Sequence, residues 1–227
     1  MPRDAVSLAG RILAVIRKDL TSEFRSRYAV NAVVMFALVT LTVISFALGV
    51  LRLSSEILAA LFWIVIFFAS MSGLAQTFIR EEESGTSLVL KLSADGSAVF
   101  FGKAIFNMLL LFFLAILIVP LFIVLLKARI ASWDIFLAGL IPGLIGLAGA
   151  TTIIAAIVAQ ASVKGTLFTV ISFPVLLPLL VGVIEITKIA FTGGVFADIS
   201  APLRLVIAYD VVMVTLSVLL FDFVWRQ

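Results

Sequence analysis

Long apolar segments alternate with short polar ones along most of this chain. The hydrocarbon core of a bilayer is roughly 30 Å thick, so a spanning helix takes about 20 mostly apolar residues. Five segments meet this length: residues 30–51, 57–78, 104–126, 135–159 and 203–225. A sixth, residues 166–184, is slightly shorter but uncharged, and Pro174 and Pro178 should kink it. The pattern predicts an all-α integral membrane protein with six transmembrane helices.

An amphipathic pattern precedes the first predicted span. Apolar residues recur there at every fourth position: Leu8, Ile12, Ile16, Leu20 and Phe24. Basic residues fall elsewhere around the same helix: Arg11, Arg17, Lys18 and Arg25. Residues 1–28 are therefore predicted to form an amphipathic helix that lies in the cytoplasmic interface of the membrane. The alternative is a basic tail without fixed structure that only orients the first span.

Lys and Arg are distributed unevenly between the two sides of the predicted spans. With the N-terminus inside, eleven of the 16 basic residues lie on the cytoplasmic side and five on the other. Because cytoplasmic loops are enriched in positive charge, both termini are predicted in the cytoplasm. The same distribution accounts for the net charge of +3 without a nucleic-acid partner.

Composition fits a membrane protein and restricts its chemistry. The chain is 63% hydrophobic and 13% charged, whereas soluble domains carry about 25% charged residues. It has no Cys and no His, which excludes disulfides, thiolate or imidazole metal sites, and Ser-His or Cys-His catalytic pairs. Gly96, Gly102 and Lys103 superficially resemble a phosphate-binding loop, but their spacing is wrong and Ala104 replaces the Mg²⁺-binding Ser or Thr. We expect a non-catalytic chain, with nucleotide hydrolysis on another subunit.

Two segments outside the spans have unusual sequences. Residues 79–103 form the longest predicted cytoplasmic loop, in which an acidic triad precedes an apolar run bounded by glycines. This sequence is typical of a docking helix for a cytoplasmic partner, although solvated charge alone would look similar. Residues 185–202 are predicted to be external, and they are too apolar for an ordinary loop yet too short to cross the membrane. They favour half-helices that dip into the outer leaflet, forming a re-entrant segment.

Ionisable residues within spans are candidates for function, because burying a charge in the bilayer costs about 2.5 kcal/mol or more. Glu185 and Lys188, at the outer end of the fifth span, are spaced to pair on one helix face. Asp210 lies inside the last span beside Tyr209. The alternative is that these groups are hydrated or paired near the membrane surface.

Small residues crowd the fourth predicted span, together with one proline: Gly139, Pro142, Gly143, Gly146, Gly149 and Ala150. Such residues let helix backbones approach closely. They predict a packing face in the fourth span, or a seam between two copies of the chain.

A basic interfacial helix, six spans and the loop after the second span together resemble the CcmB family. Members of this family are permease subunits of the ABC-2 type in the cytochrome c maturation haem exporter. The loop reads Phe78-Ile79-Arg80-Glu81-Glu82-Glu83-Ser84-Gly85-Thr86-Ser87-Leu88, and Leu92-Ser93 and Lys103 follow before the third span. The likeness extends to the Gly-rich fourth span and the double-proline fifth. The chain departs from the family at Ala94, where Pro is usual, and at Ser87, where Leu or Met is common.

The resemblance implies a single permease domain over residues 1–227 in the bacterial inner membrane. The function that it implies is haem export or release of a haem-loaded chaperone. It implies a separate ABC ATPase subunit that binds ATP and presses on a coupling contact. That contact consists of Glu81, Glu82, Glu83, Gly85, Thr86, Leu88 and Leu92. Further implied partners are other cytochrome c maturation membrane subunits, a haem chaperone, membrane lipid and a second copy of the permease. Haem is then a substrate, and neither a cofactor nor a metal is expected on this chain.

Two alternatives stay open. The loop motif is loose, so an ABC-2 exporter of lipid, polysaccharide or drug fits almost as well. A secondary transporter or an intramembrane enzyme would need inverted repeats with broken helices, or paired catalytic carboxylates. Neither feature is visible in the sequence.

Overall fold

The computed structural model describes residues 7–49, 53–74, 95–159 and 164–225. Within these ranges the chain forms seven α-helices and one short 3₁₀ helix. The α-helices are α1 (Leu8–Ser26), α2 (Tyr28–Leu48), α3 (Ser55–Leu74), α4 (Gly96–Leu126), α5 (Trp133–Ala159), α6 (Lys164–Thr192) and α7 (Ser200–Trp225). The 3₁₀ helix (Phe196–Ile199) lies between α6 and α7.

Six of these helices, α2 to α7, are long and apolar enough to cross a membrane. This confirms the predicted all-α membrane fold, and α1 confirms that a helix precedes the first span. The largest differences in bounds are at α4, which begins at Gly96 rather than at residue 104, and at α6, which ends at Thr192 rather than at residue 184. At 1.5 Å per residue the 31 residues of α4 extend over about 46 Å, so α4 is longer than the hydrocarbon core is thick.

Helix α5 is the central element of the bundle and packs against α4, α6 and α7. Two of its glycines are covered by α6: a methyl group added at Gly139 would lie 2.6 Å from Ile186 Cγ2, and one at Gly143 would lie 2.9 Å from Val183 Cγ1. The predicted packing face is therefore confirmed at these two positions, where α6 leaves no room for a second copy of the chain. A seam between two copies elsewhere on α5 stays a prediction.

The segment 185–202 is not built as two half-helices. Residues 185–192 complete α6, which runs without a break through Pro174 and Pro178. The chain then turns at Gly193, where φ is +84°, and enters the 3₁₀ helix before α7. Gly193 and Gly194 donate backbone hydrogen bonds to the Ile189 carbonyl and so close the end of α6. Apolar residues occur here because they continue the α6 helix, and the depth of this turn in the membrane stays a prediction.

Candidate functional site

The predicted ATPase contact lies between two described helices. Its seven residues, Glu81, Glu82, Glu83, Gly85, Thr86, Leu88 and Leu92, are outside the described residues. Helix α3 ends before them at Leu74, and Asp95 is the N-cap of α4 after them. The first turns of α4, predicted as part of the loop, are helical instead. The described element that follows this contact in the sequence is therefore α4, and α1 packs against α4.

Two ion pairs join α1 to the beginning of α4. Arg11 Nη1 pairs with Asp95 Oδ2, and Asp19 Oδ2 lies 3.4 Å from Lys103 Nζ. The partners in each pair are 84 residues apart in sequence. Because the offset is the same at both positions, α1 and the first turns of α4 run parallel and in register.

The Asp19–Lys103 pair is buried, whereas the Arg11–Asp95 pair is exposed. The Lys103 side chain is 1% exposed and that of Asp19 is 10% exposed, and Lys18 Nζ lies 3.1 Å from the second Asp19 oxygen. A buried charge costs several kcal/mol unless it is paired and hydrogen-bonded. Asp19 therefore compensates the buried charge of Lys103.

A close steric contact lies between the two ion pairs. A methyl group added at Gly102 would lie 2.7 Å from the Val15 side chain, and Val15 itself is buried. The buried face of α1 is thus centred on Val15 and Asp19, and Phe24, from the predicted apolar stripe, is 76% exposed. Asp19 was not predicted from the sequence. The signal available was an acidic residue four positions after Val15 in a helix with more basic than acidic residues.

Glu185 and Lys188 form the predicted pair on one face of α6. The distance from Lys188 Nζ to Glu185 Oε1 is 2.8 Å, and the side chains of Lys188 and Glu185 are 30% and 46% exposed, respectively. An exposed pair of this kind contributes little to stability. This geometry fits the alternative of a paired group near the surface.

Asp210 lies inside the bundle, at the contact between α7 and α5. Its Oδ1 atom is buried against Gly146 and has no hydrogen-bond partner among the described residues. The neighbouring Tyr209 hydroxyl donates to the Val175 carbonyl of α6, over 3.1 Å. Asp210 is thus an intramembrane carboxyl group that packs on a glycine.

Two further polar contacts between helices were not predicted. Asn107 of α4 donates to the Thr152 hydroxyl of α5 over 2.8 Å, and both side chains are fully buried. Trp63 of α3 donates to the Thr187 hydroxyl of α6, also over 2.8 Å. Each hydroxyl in turn donates to a carbonyl of its own helix. Hydrogen bonds of this kind hold helices together in a membrane, where apolar burial between helices contributes little.

The charged groups of the described residues mainly connect one helix to another. In the part of the chain that the structure describes, no three Asp or Glu residues cluster to hold a metal ion. The charged groups instead connect α1 to α4 and α6 to itself. They fix the positions of helices relative to one another.

A comparison with protein families decides between the alternatives. The model of the CcmB protein family matches residues 10–224, which includes every described span and α1 from its first turn onward. The chain belongs to the CcmB family. CcmB proteins are haem-exporting permease components of an ABC transporter in cytochrome c maturation, which acts with further Ccm components. This CcmB protein is accordingly a multi-pass membrane subunit of non-catalytic type. A comparison with curated proteins gives no match.

Proposed function

We propose that this CcmB protein couples ATP hydrolysis on a separate ATPase subunit to haem export, or to release of a haem-loaded chaperone. The match to the CcmB family over residues 10–224 carries this proposal. Glu81 to Leu92 form the contact with the ATPase, and the permease acts as a homodimer in the inner membrane with both termini in the cytoplasm. Haem is handled as substrate and ATP stays on the partner.

The junction of α1 and α4 supports this mechanism. Asp95 and Gly96 follow the contact segment after two further residues, and Arg11 and Asp19 fix the first turns of α4 to α1. Helix α4 then continues along α2, α3 and α5. A force applied before Asp95 would therefore move α1 and α4 together and shift the cytoplasmic ends of the spans, as in a rigid-body rocking transition.

The proposal is tested by removing the acidic triad without changing its shape. In the variant E81Q/E82Q/E83Q we expect less ATPase to co-purify per permease, and less haem-stained cytochrome c in the cells. The matched control is E185Q, which removes one carboxylate from the opposite end of the spans. It should leave both readouts unchanged.

Two outcomes contradict the proposal. If no ATPase co-purifies with the unaltered chain, the coupling role fails. If the ATPase co-purifies but deletion of the permease leaves cytochrome c assembly intact, an exporter of lipid, polysaccharide or drug becomes the better assignment.

A further inference from the structure

An apolar groove opens where α1 meets the first span. It has a volume of about 400 Å³ and lies between the last turns of α1, the beginning of α2 and the middle of α4. Phe106 and Leu110 of α4 form its buried floor. Its rim is apolar and open, because Phe24 is 76%, Leu109 45% and Phe113 50% exposed.

Two charged residues line this groove, and among the described residues only Glu23 has a side-chain partner. Glu23 Oε1 accepts a hydrogen bond from the Val30 backbone over 2.8 Å, which satisfies a free N–H in the first turn of α2. The negative charge of Glu23 is thereby held at a helix N-terminus, where it is favoured. The guanidinium of Arg27 pairs with no carboxylate among the described residues, and its side chain is exposed.

The local backbone fixes Arg27 at the groove. Its φ of +51° and ψ of +22° place it in the left-handed region, so it both ends α1 and precedes α2. The Arg27 backbone N–H donates to the Glu23 carbonyl over 2.6 Å, which closes the last turn of α1. A cation without a carboxylate partner among the described residues is thus held at one end of an apolar groove.

The position of the groove restricts what can occupy it. It lies where α2 begins, which by the predicted topology is the level of the cytoplasmic leaflet. Its volume is at the small end for ligand sites, and a partner helix needs a larger surface. An anion with a long apolar body matches both the exposed guanidinium of Arg27 and the apolar walls.

We propose that this groove holds an acyl chain of an anionic phospholipid of the cytoplasmic leaflet, with the phosphate bound by Arg27. The proposal is independent of the transported substrate. It assigns to the junction of α1 and α2 a bound lipid that persists after lipids elsewhere on the spans have been washed away. A basic residue near an anionic membrane surface contributes about 1 kcal/mol, which corresponds to about a five-fold preference.

The test is native mass spectrometry of the full-length, detergent-purified protein titrated with phosphatidylglycerol or with phosphatidylcholine of the same acyl chains. We expect about five-fold more retention of phosphatidylglycerol. The variant R27Q should reduce its retention to the phosphatidylcholine level. The matched control is R25Q, because Arg25 is an exposed cation of the same helix that does not line this groove.

A second variant tests the apolar part of the site. L109W places a larger side chain at the exposed rim, where it fills the groove without disturbing the core. It should reduce retention of both lipids, and an unchanged thermal unfolding curve would show that the fold is intact. Equal retention of both lipids by the unaltered protein overturns the proposal. Equal losses in R27Q and R25Q, or full phosphatidylglycerol binding by L109W, overturn it as well.

Discussion

Single glycines decide how closely the helices of this protein approach one another. Gly146 of α5 faces the Asp210 carboxylate and Leu179, whose Cδ1 atom would lie 3.0 Å from an added methyl group. Gly149, one turn further along α5, has no atom within 4 Å of the position where a methyl group would be added. The two glycines therefore have opposite roles, since one is required by packing and the other only lowers helix propensity.

This contrast gives a matched pair of substitutions. We expect G146A to destabilise the protein by about 1–3 kcal/mol, because the methyl group overlaps Asp210 Oδ1. G149A should be neutral or stabilising by up to about 1 kcal/mol. Thermal unfolding in detergent, followed by tryptophan fluorescence, measures both. Addition of D210A to G146A should recover part of the loss, and no recovery would argue against the Asp210 contact.

The buried ion pair between α1 and α4 gives a second prediction at this scale. D19N leaves the buried Lys103 without the Asp19 carboxylate. The loss of folding stability is about 3–5 kcal/mol where no other charge compensates Lys103, and smaller where one does. K103M leaves Asp19 with Lys18, which is 44% exposed, so the loss should be smaller. The double variant D19N/K103M should be more stable than D19N alone. Equal stability of D19N and the double variant would mean that the two residues are not coupled.

At the scale of elements, α1 and the beginning of α4 form one unit. Their contact is made by exposed charge at Arg11, close packing at Val15 and buried charge at Asp19. The stability of the first turns of α4 should therefore depend on α1, although the two are far apart in the sequence. Helices α6 and α7 pack mainly on α5 and have no extensive contact with α1, so they should not share this dependence.

Breaking α1 tests this dependence. Ala14 is exposed, and A14P disrupts the helix at a cost of about 3 kcal/mol or more. We expect faster amide hydrogen exchange not only in α1 but also in residues 96–103, with α5 and α6 unchanged. A14S at the same exposed position is the control. Unchanged exchange in residues 96–103 of A14P would show that α4 is stable without α1.

At the scale of the whole molecule, the predicted topology places α1 on the cytoplasmic side of the membrane. The absence of native cysteine makes this testable, because every introduced thiol is the sole one. We expect S22C on α1 to react with a membrane-impermeant maleimide only after cells are opened. A131C, in the connection between α4 and α5, should react in intact cells. Both positions are exposed, so the reverse pattern would place the N-terminus outside.

The spans were predictable because each depends on local apolar length, which the sequence shows directly. The path of residues 185–192 was not predictable in this way. Glu185 and Lys188 suggested that the helix ends there, but the helix continues and the two residues pair on its surface. The early start of α4 at Gly96 was also missed, because Lys103 does not look like part of a buried helix until Asp19 is placed beside it. A contact between residues that are 84 positions apart produces no periodic pattern in the sequence from which it could be predicted. The predicted ATPase contact stays a prediction.

The parallel pairing of α1 with α4 also sets an order of events during biosynthesis. Asp19 and Lys103 are 84 residues apart, so α1 leaves the ribosome well before its partner exists. At about 5–20 residues per second, the interval is about 4–17 s. During this time the two following spans enter the membrane while Asp19 is still without Lys103. Docking of α1 is therefore a late step, which completes only when the third span has been inserted.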